Sequence, residues 1–262
     1  MGYQHIIYEK RDQAGWVYLN RERDMNSISA IMIAELANAL ATTEEDNDIR
    51  ALILTGKGKA FCAGADLKEV LSGFGAKKGP ETDYLERIRV VFSKLRHFSK
   101  PVIAALNGLT LAGGLELAMC CDIVIAAENA KIGDAHSNFG VFPGGGGTAV
   151  LPRKVGLNRA KYLLFTGDFI PAAEMKDYGF VNKVVPDREL EKTVDALARK
   201  IAAKSPLGLK LMKQMANQSL DQVEETALTQ EFLTLRDYMR SYDMEEGLKA
   251  FREKRKPEFK GY

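Results

Sequence analysis

The sequence predicts an α/β core followed by a helical C-terminal region. Three observations carry this. Apolar runs of strand length alternate with helix-periodic segments through the first half of the chain. Past residue 148 nearly every periodic segment has helical spacing. The 262 residues, 46% hydrophobic and 27% charged, are an ordinary globular composition and suffice for one large domain or one domain with a small appendage.

In chain order, "HIIYEK" and "WVYLN" read as strands joined by a turn at "DQAG". "SAIMIAELANALATTEE" is an amphipathic helix with Ser27 or Ser29 available as its cap. "RALILTG" is a buried strand, and "DYLERIRVVFSKLRHF" a second helix. Pro101 opens the strand "PVIAALNG"; a helix follows through "LELAMCC", then the strand "IVIAAE". Beyond residue 148, "GLNRAKYLLFTG", "PAAEMKDYG", "RELEKTVDALARKIAAKS", "PLGLKLMKQMANQ" and "LDQVEETALTQEFLTLRDYMRS" are helical, and only "FVNKVVP" reads as a strand. The expected division is a core over 1–204 and a helical region over 205–262, with a hinge near Ser205–Pro206. The glycine-rich, charged loop 72–83 is expected to be mobile.

Composition narrows the function classes. A net charge of +2 gives no whole-chain argument for nucleic-acid binding. Three cysteines, two of them adjacent at Cys120 and Cys121, form neither a disulfide framework nor a metal-ligand spacing. With only three histidines, no metal site is expected. "MGYQHIIYEK" lacks the apolar core of a signal peptide, and a cytoplasmic location is the expectation. The long apolar stretch 101–127 is broken by Asn107, Glu116, Asp122 and glycines, so buried core is expected rather than a membrane span.

Two residues stand in unusual settings. Glu116 interrupts the apolar run "LAGGLELAMCCD", just after Gly113 and Gly114. A buried carboxylate is costly and shifts its pKa upward, which suits acid–base work as well as a structural ion pair. The two glycines allow a backbone N–H to approach a ligand closely, half of an oxyanion hole. "GKAFCAGADLKEV" offers a second small-residue turn, Ala63-Gly64-Ala65 before Asp66. His136 lies in the loop "GDAHSNFGVFPGGGG", where a histidine is most often just solvated. The glycine run after Pro143 lacks the Gly-Lys-Ser/Thr ending of a phosphate-binding loop.

"AFCAGADLKEV", "KPVIAALNGLTLAGGLELAMCCDIVIAAENAKIG", "FPGGGGTAVLPRKVG", "LLFTGD" and "GLKAFREKRKPEF" together resemble the crotonase (enoyl-CoA hydratase/isomerase) superfamily over nearly the whole chain. The resemblance implies a ββα spiral core with a helical C-terminal trimerisation region, and a homotrimer or a hexamer of paired trimers. It implies an acyl-CoA thioester substrate, with coenzyme A entering as part of the substrate and no further cofactor. Carried over by position, the oxyanion donors are Ala65 and Gly113. The CoA site takes Ala65, Asp66, Leu67 and Lys68, with Phe251 and Lys254 often reaching it from a neighbouring subunit. Arg21 and Arg23 are further candidates to meet phosphates.

Glu116 matches the first catalytic glutamate of hydratases; the second falls, by the spacing, on His136. Histidine is a competent acid or base near neutrality. The resemblance therefore implies reversible hydration of an α,β-unsaturated acyl-CoA. The alternatives are C–C hydrolysis of a β-diketone or cyclic β-keto acyl-CoA, or a non-catalytic acyl-CoA- or RNA-binding member. Superfamily hydrolases pair a histidine at this position with an acid further along the loop, which falls here on Gly145.

Overall fold

The computed structural model describes residues 2–73 and 83–262. Most of the loop expected to be mobile, residues 74–82, lies outside the described residues. The strands are β1 (Ile6–Arg11), β2 (Ala14–Leu19), β3 (Ala51–Gly56), β4 (Ala60–Cys62), β5 (Val102–Leu106), β6 (Leu109–Leu111), β7 (Ile123–Ala127), β8 (Lys131–Gly133), β9 (Phe169–Pro171) and β10 (Lys183–Val185). The helices are α1 (Ala30–Glu45), α2 (Leu67–Gly73), α3 (Tyr84–Arg96), α4 (Gly113–Met119), α5 (Leu151–Val155), α6 (Leu157–Thr166), α7 (Ala172–Asp177), α8 (Leu190–Ala202), α9 (Pro206–Ser219), α10 (Glu224–Tyr238) and α11 (Tyr242–Glu253).

Two sheets result. The larger has the order β1-β2-β3-β5-β7-β10, parallel except for the β1–β2 hairpin. The smaller has the order β4-β6-β8-β9, with β9 antiparallel to β8. Three passes of the chain, β3–β4, β5–β6 and β7–β8, lay one strand in the large sheet and then a short strand in the small one.

Strand alternation sets the two faces of the large sheet. Val17, Leu19, Leu52, Leu54, Val102, Ala104 and Val124 point inward and pack with α1, α3, α4 and the small sheet. Trp16, Tyr18, Ile53, Ile103 and Ile125 point outward and are covered by Leu190, Val194 and Ala198 of α8. Covering both faces explains why these strands read as unbroken apolar runs. Each fully buried large aliphatic side chain contributes about 1.5–3 kcal/mol.

Ser29 caps α1, accepting from Met32 N–H at 3.1 Å, while Ser27 lies before the helix. The small sheet is the feature absent from the sequence reading. Its strands have three residues each, too few to display a period of two. β9 also adds a strand to the second half, where only "FVNKVVP" was expected to form one. At Ser205–Pro206, where a hinge is expected, helix α9 begins. Ser205 Oγ accepts from Gly208 N–H at 2.8 Å and donates to Asp243 of α11 at 2.6 Å.

Helix α10 has no buried residue over its fifteen positions, and Leu228, Phe232, Leu233 and Leu235 are exposed along it. Among the described residues, no helix is long and apolar enough to cross a membrane.

A glycine fixes how closely α4 meets β4. A Cβ on Gly114 would fall on the carbonyl oxygen of Cys62, whereas one on Gly144 would meet nothing within 4 Å. Gly114→Ala is expected to cost about 1–3 kcal/mol of stability through overpacking. Gly144→Ala should stay within about 0.5 kcal/mol of the parent. Urea midpoints of the two variants check this.

Candidate active site

Two strand-to-helix turns converge on one cavity. The first follows β4. Ile28 N–H donates to Gly64 O at 2.8 Å, and Asp66 N–H donates back to Ile28 O at 2.9 Å. This one-residue bridge leaves the Ala65 N–H between them facing the other way. The second turn follows β6, where Ala112 takes φ 49° and ψ −121° before Gly113 begins α4. That conformation is rare for a residue with a side chain and costs on the order of 1–3 kcal/mol. The two turns nearly touch: a Cβ on Gly113 would lie 3.1 Å from Ala65 N, and one on Gly64 would lie 3.3 Å from Gly113 N. Neither N–H has a protein acceptor among the described residues.

Glu116 sits one turn into α4 and is only 4% exposed. Its Oε1 accepts from Gly145 N–H at 2.6 Å and Gly147 N–H at 3.0 Å. A Cβ on Gly145 would stand 2.7 Å from Glu116 Oε2 and 2.8 Å from Phe92, so this turn has no room for a side chain. Arg96 of α3 donates to the Gly145 carbonyl from behind. Burial pushes the Glu116 pKa above the usual carboxylate range, against the opposing pull of the Gly147 N–H, His136 and the Gly145 N–H.

His136 follows β8 and a left-handed Ala135 (φ 59°). Its Nδ1 is 2.9 Å from Asp134 Oδ1, and its Nε2 is 3.9 Å from Glu116 Oε2. Burial disfavours the charged ring. The hydrogen bond and charge of Asp134, together with the charge of Glu116, outweigh it and raise the pKa above 6.5. His136 is therefore not a solvated loop histidine.

The cavity measures about 700 Å³, and Ala65, Gly113, Glu116 and His136 all line it. Its walls are largely apolar, with Ile88, Phe92, Leu111, Val141 and Phe142 among them. Asp66, Leu67 and Lys68 line it on the α2 side. Asp66 also pairs with Arg21 at 3.0 Å. The Arg21 guanidinium is held by Asp24, Asp66 and Ser27, whereas Arg23 is exposed. Phe251, 85% exposed, and Lys254, at the C-terminus of α11, do not line this cavity in their own chain. Sequence reasoning missed Asp134, Phe92 and the Gly145 and Gly147 amides. The only sequence signal for Asp134 was its place two residues before His136.

A family model described as enoyl-CoA hydratase/isomerase matches residues 9–262. The chain is 40% identical over 260 residues to the crotonyl-CoA hydratase of Syntrophomonas wolfei, covering 99% of each. It is 38% identical over 259 residues to the short-chain-enoyl-CoA hydratase of Clostridium acetobutylicum, covering 98% of each. The crystal structure of an enoyl-CoA hydratase from Bacillus anthracis superposes with a TM-score of 0.92 at 40% identity, over 99% of this chain and 100% of that one.

Burial of Glu116 has a consequence for stability. Its folded pKa lies above the unfolded value, so the folded state favours the neutral acid. Stability from this source is fully present below the unfolded pKa and is lost as pH rises through the folded one. A glutamine at this position keeps an acceptor for both glycine amides but does not titrate. The melting temperature of Glu116→Gln relative to the parent is therefore expected to rise between pH 4 and pH 8, where the parent carboxyl becomes charged. A flat difference across that range would remove burial as the dominant influence on Glu116.

Proposed function

The chain belongs to the enoyl-CoA hydratase/isomerase family, and we propose that it adds water reversibly to an α,β-unsaturated acyl-CoA. One observation carries this reading. Glu116 Oε2 and His136 Nε2 face one cavity at 3.9 Å, beside the two free N–H groups of Ala65 and Gly113. That separation is too long for a direct hydrogen bond, yet one water oxygen can sit about 2.8 Å from both.

In the proposed reaction, the thioester oxygen rests against the Ala65 and Gly113 N–H groups. Glu116 takes a proton from the water as its oxygen bonds to the β-carbon. The double-bond electrons move toward the thioester, and the enolate charge falls on the oxygen held by the two amides. His136, charged, gives its Nε2 proton to the α-carbon. Transfer of the Glu116 proton back to His136 restores the site. Each oxyanion donor is worth about 10²–10³ in rate, which is why the strained turn at Ala112 is tolerated. The apolar walls suit an acyl group, and the chemistry asks for no cofactor beyond the CoA of the substrate.

C–C hydrolysis is the second reading retained from the sequence. The turn residue Gly145 carries no acid, and its N–H is spent on Glu116. The hydratase relatives favour hydration.

For assembly, the proposal is a homotrimer or a pair of trimers built through the helical region 205–262. The bare apolar side of α10 supports it. In that arrangement Phe251 and Lys254 of one subunit would meet the CoA bound to another. A cytoplasmic setting fits the three buried, unpaired cysteines.

The deciding experiment offers the purified protein a panel of enoyl-CoA and cyclic keto-CoA thioesters, with mass spectrometry of products. Gain of one water without chain cleavage is expected; cleaved products would establish the second reading instead. Glu116→Gln and His136→Ala should each lower kcat/KM by about 10²–10⁴. The double variant should lose little more than the worse single one, because the two residues act on one water and one proton. Full activity in His136→Ala would reduce the histidine to a pocket wall. Lys254→Glu should raise KM more than it lowers kcat, since phosphate binding is remote from the reacting carbons. Light scattering should give three subunits or a multiple of three, and a monomer at micromolar concentration would refute the assembly.

A further inference from the structure

Asp134 immediately follows β8 and is 1% exposed. An ionised carboxylate so deeply placed is costly unless its oxygens find donors. Oδ1 lies 2.9 Å from His136 Nδ1 and 3.3 Å from His136 N. Oδ2 is buried with no hydrogen-bond partner among the described residues. Everything that satisfies this carboxylate therefore belongs to one residue, His136.

The backbone is bent to make that pairing. Residues i and i+2 of an extended chain point the same way but stand well apart. The left-handed Ala135, φ 59°, folds the chain so that the ring of His136 comes back onto the carboxylate. The glycine turn completes the enclosure. A Cβ on Gly147 would lie 2.9 Å from Asp134 Oδ2, and the same residue's N–H donates to Glu116 Oε1 at 3.0 Å. Gly147 thus packs between the two acids and gives its hydrogen bond only to Glu116.

An imidazole, unlike a carboxyl group, has two different edges, and chemistry depends on which edge faces the substrate. With Nδ1–H held by a carboxylate, the neutral ring keeps its lone pair on Nε2. The charged ring then has a single exposed proton, also on Nε2. That atom faces Glu116 Oε2 across 3.9 Å. We infer that Asp134 is a positioning residue, holding the Nδ1 edge of His136 so that Nε2 alone exchanges a proton with the substrate. This rests on the hydratase reading, in which His136 is the proton donor to the α-carbon.

The groups that face His136 are Asp134 and Glu116, both acidic. Arg96 lies beyond Glu116 and is turned to the Gly145 carbonyl. Removing the negative charge at 134 therefore leaves one anion near the ring instead of two. The ring should lose its proton at lower pH, and the alkaline limb of kcat/KM should move down accordingly.

The test is Asp134→Asn, which preserves size. It should lower kcat about 10–10²-fold with KM within about threefold, and shift the alkaline limb to lower pH. In a His136→Ala background the same substitution should cost nothing further in kcat/KM. A carboxylate that merely caps the loop would lower the melting temperature and leave the limb where it was, which overturns the inference. Nitrogen-15 NMR of the histidine ring gives a reading independent of turnover. The parent at alkaline pH should show the Nδ1–H tautomer, and Asp134→Asn should lose that bias. An Nε2–H tautomer in the parent overturns the inference even if the variant does not fold. If no enoyl-CoA is hydrated by the parent, the hydratase reading fails, while the tautomer still reports on the pairing.

Discussion

The site depends on one buried carboxylate and the glycine amides that hold it. Glu116 lies in an apolar helix where a charge would ordinarily be expelled. Two N–H groups from the 144–147 turn, at 2.6 and 3.0 Å, supply what water would have supplied. They can reach it only because residue 145 has no side chain, and Arg96 secures that turn from outside. The remaining oxygen of Glu116 is left facing the cavity and His136. Helix α4, the glycine turn, α3 and the loop after β8 are thus tied to a single functional group.

Around this centre the fold divides its tasks. The large sheet, buried on both faces, supplies rigidity through Trp16, Leu52, Ile53 and Ile103 and their neighbours. The small sheet contributes little bulk but ends its strands at or next to groups that line the cavity: β4 before Ala65, β6 before Gly113, β8 before Asp134 and His136. Three short strands side by side therefore deliver the two amides and the imidazole to one side of the cavity. At that edge Ala112 and Ala135 both take positive φ.

Much of this was legible in the sequence. The long strands declared themselves as apolar runs, α1, α3 and α8 by apolar period, and Glu116 by being an acid in an apolar run. Gly113 and Ala65 were legible only as small-residue turns, and the resemblance gave them a shared purpose. The small sheet was hidden because three-residue strands have no period to show. Asp134 was hidden for a different reason. Its meeting with His136 needs a left-handed alanine between them, and alanine gives no hint of that conformation. Arg21 looked like a free basic residue because its partners, Asp24, Ser27 and Asp66, are joined to it only by folding.

The bridge between Ile28 and Ala65 bears on how the molecule comes into being. One amide is aimed by a segment almost forty residues upstream, and the other by a turn nearly fifty residues downstream of Ala65. Asp134 and His136, and the glycine amides that hold Glu116, arrive later still, on the loops at 134–136 and 145–147. Contacts of such sequence separation form late, because each must first overcome the entropy of closing a long loop. A chain that has collapsed without docking its two sheets lacks the paired Ala65 and Gly113 amides. The four groups, Ala65, Gly113, Glu116 and His136, meet only in the native topology.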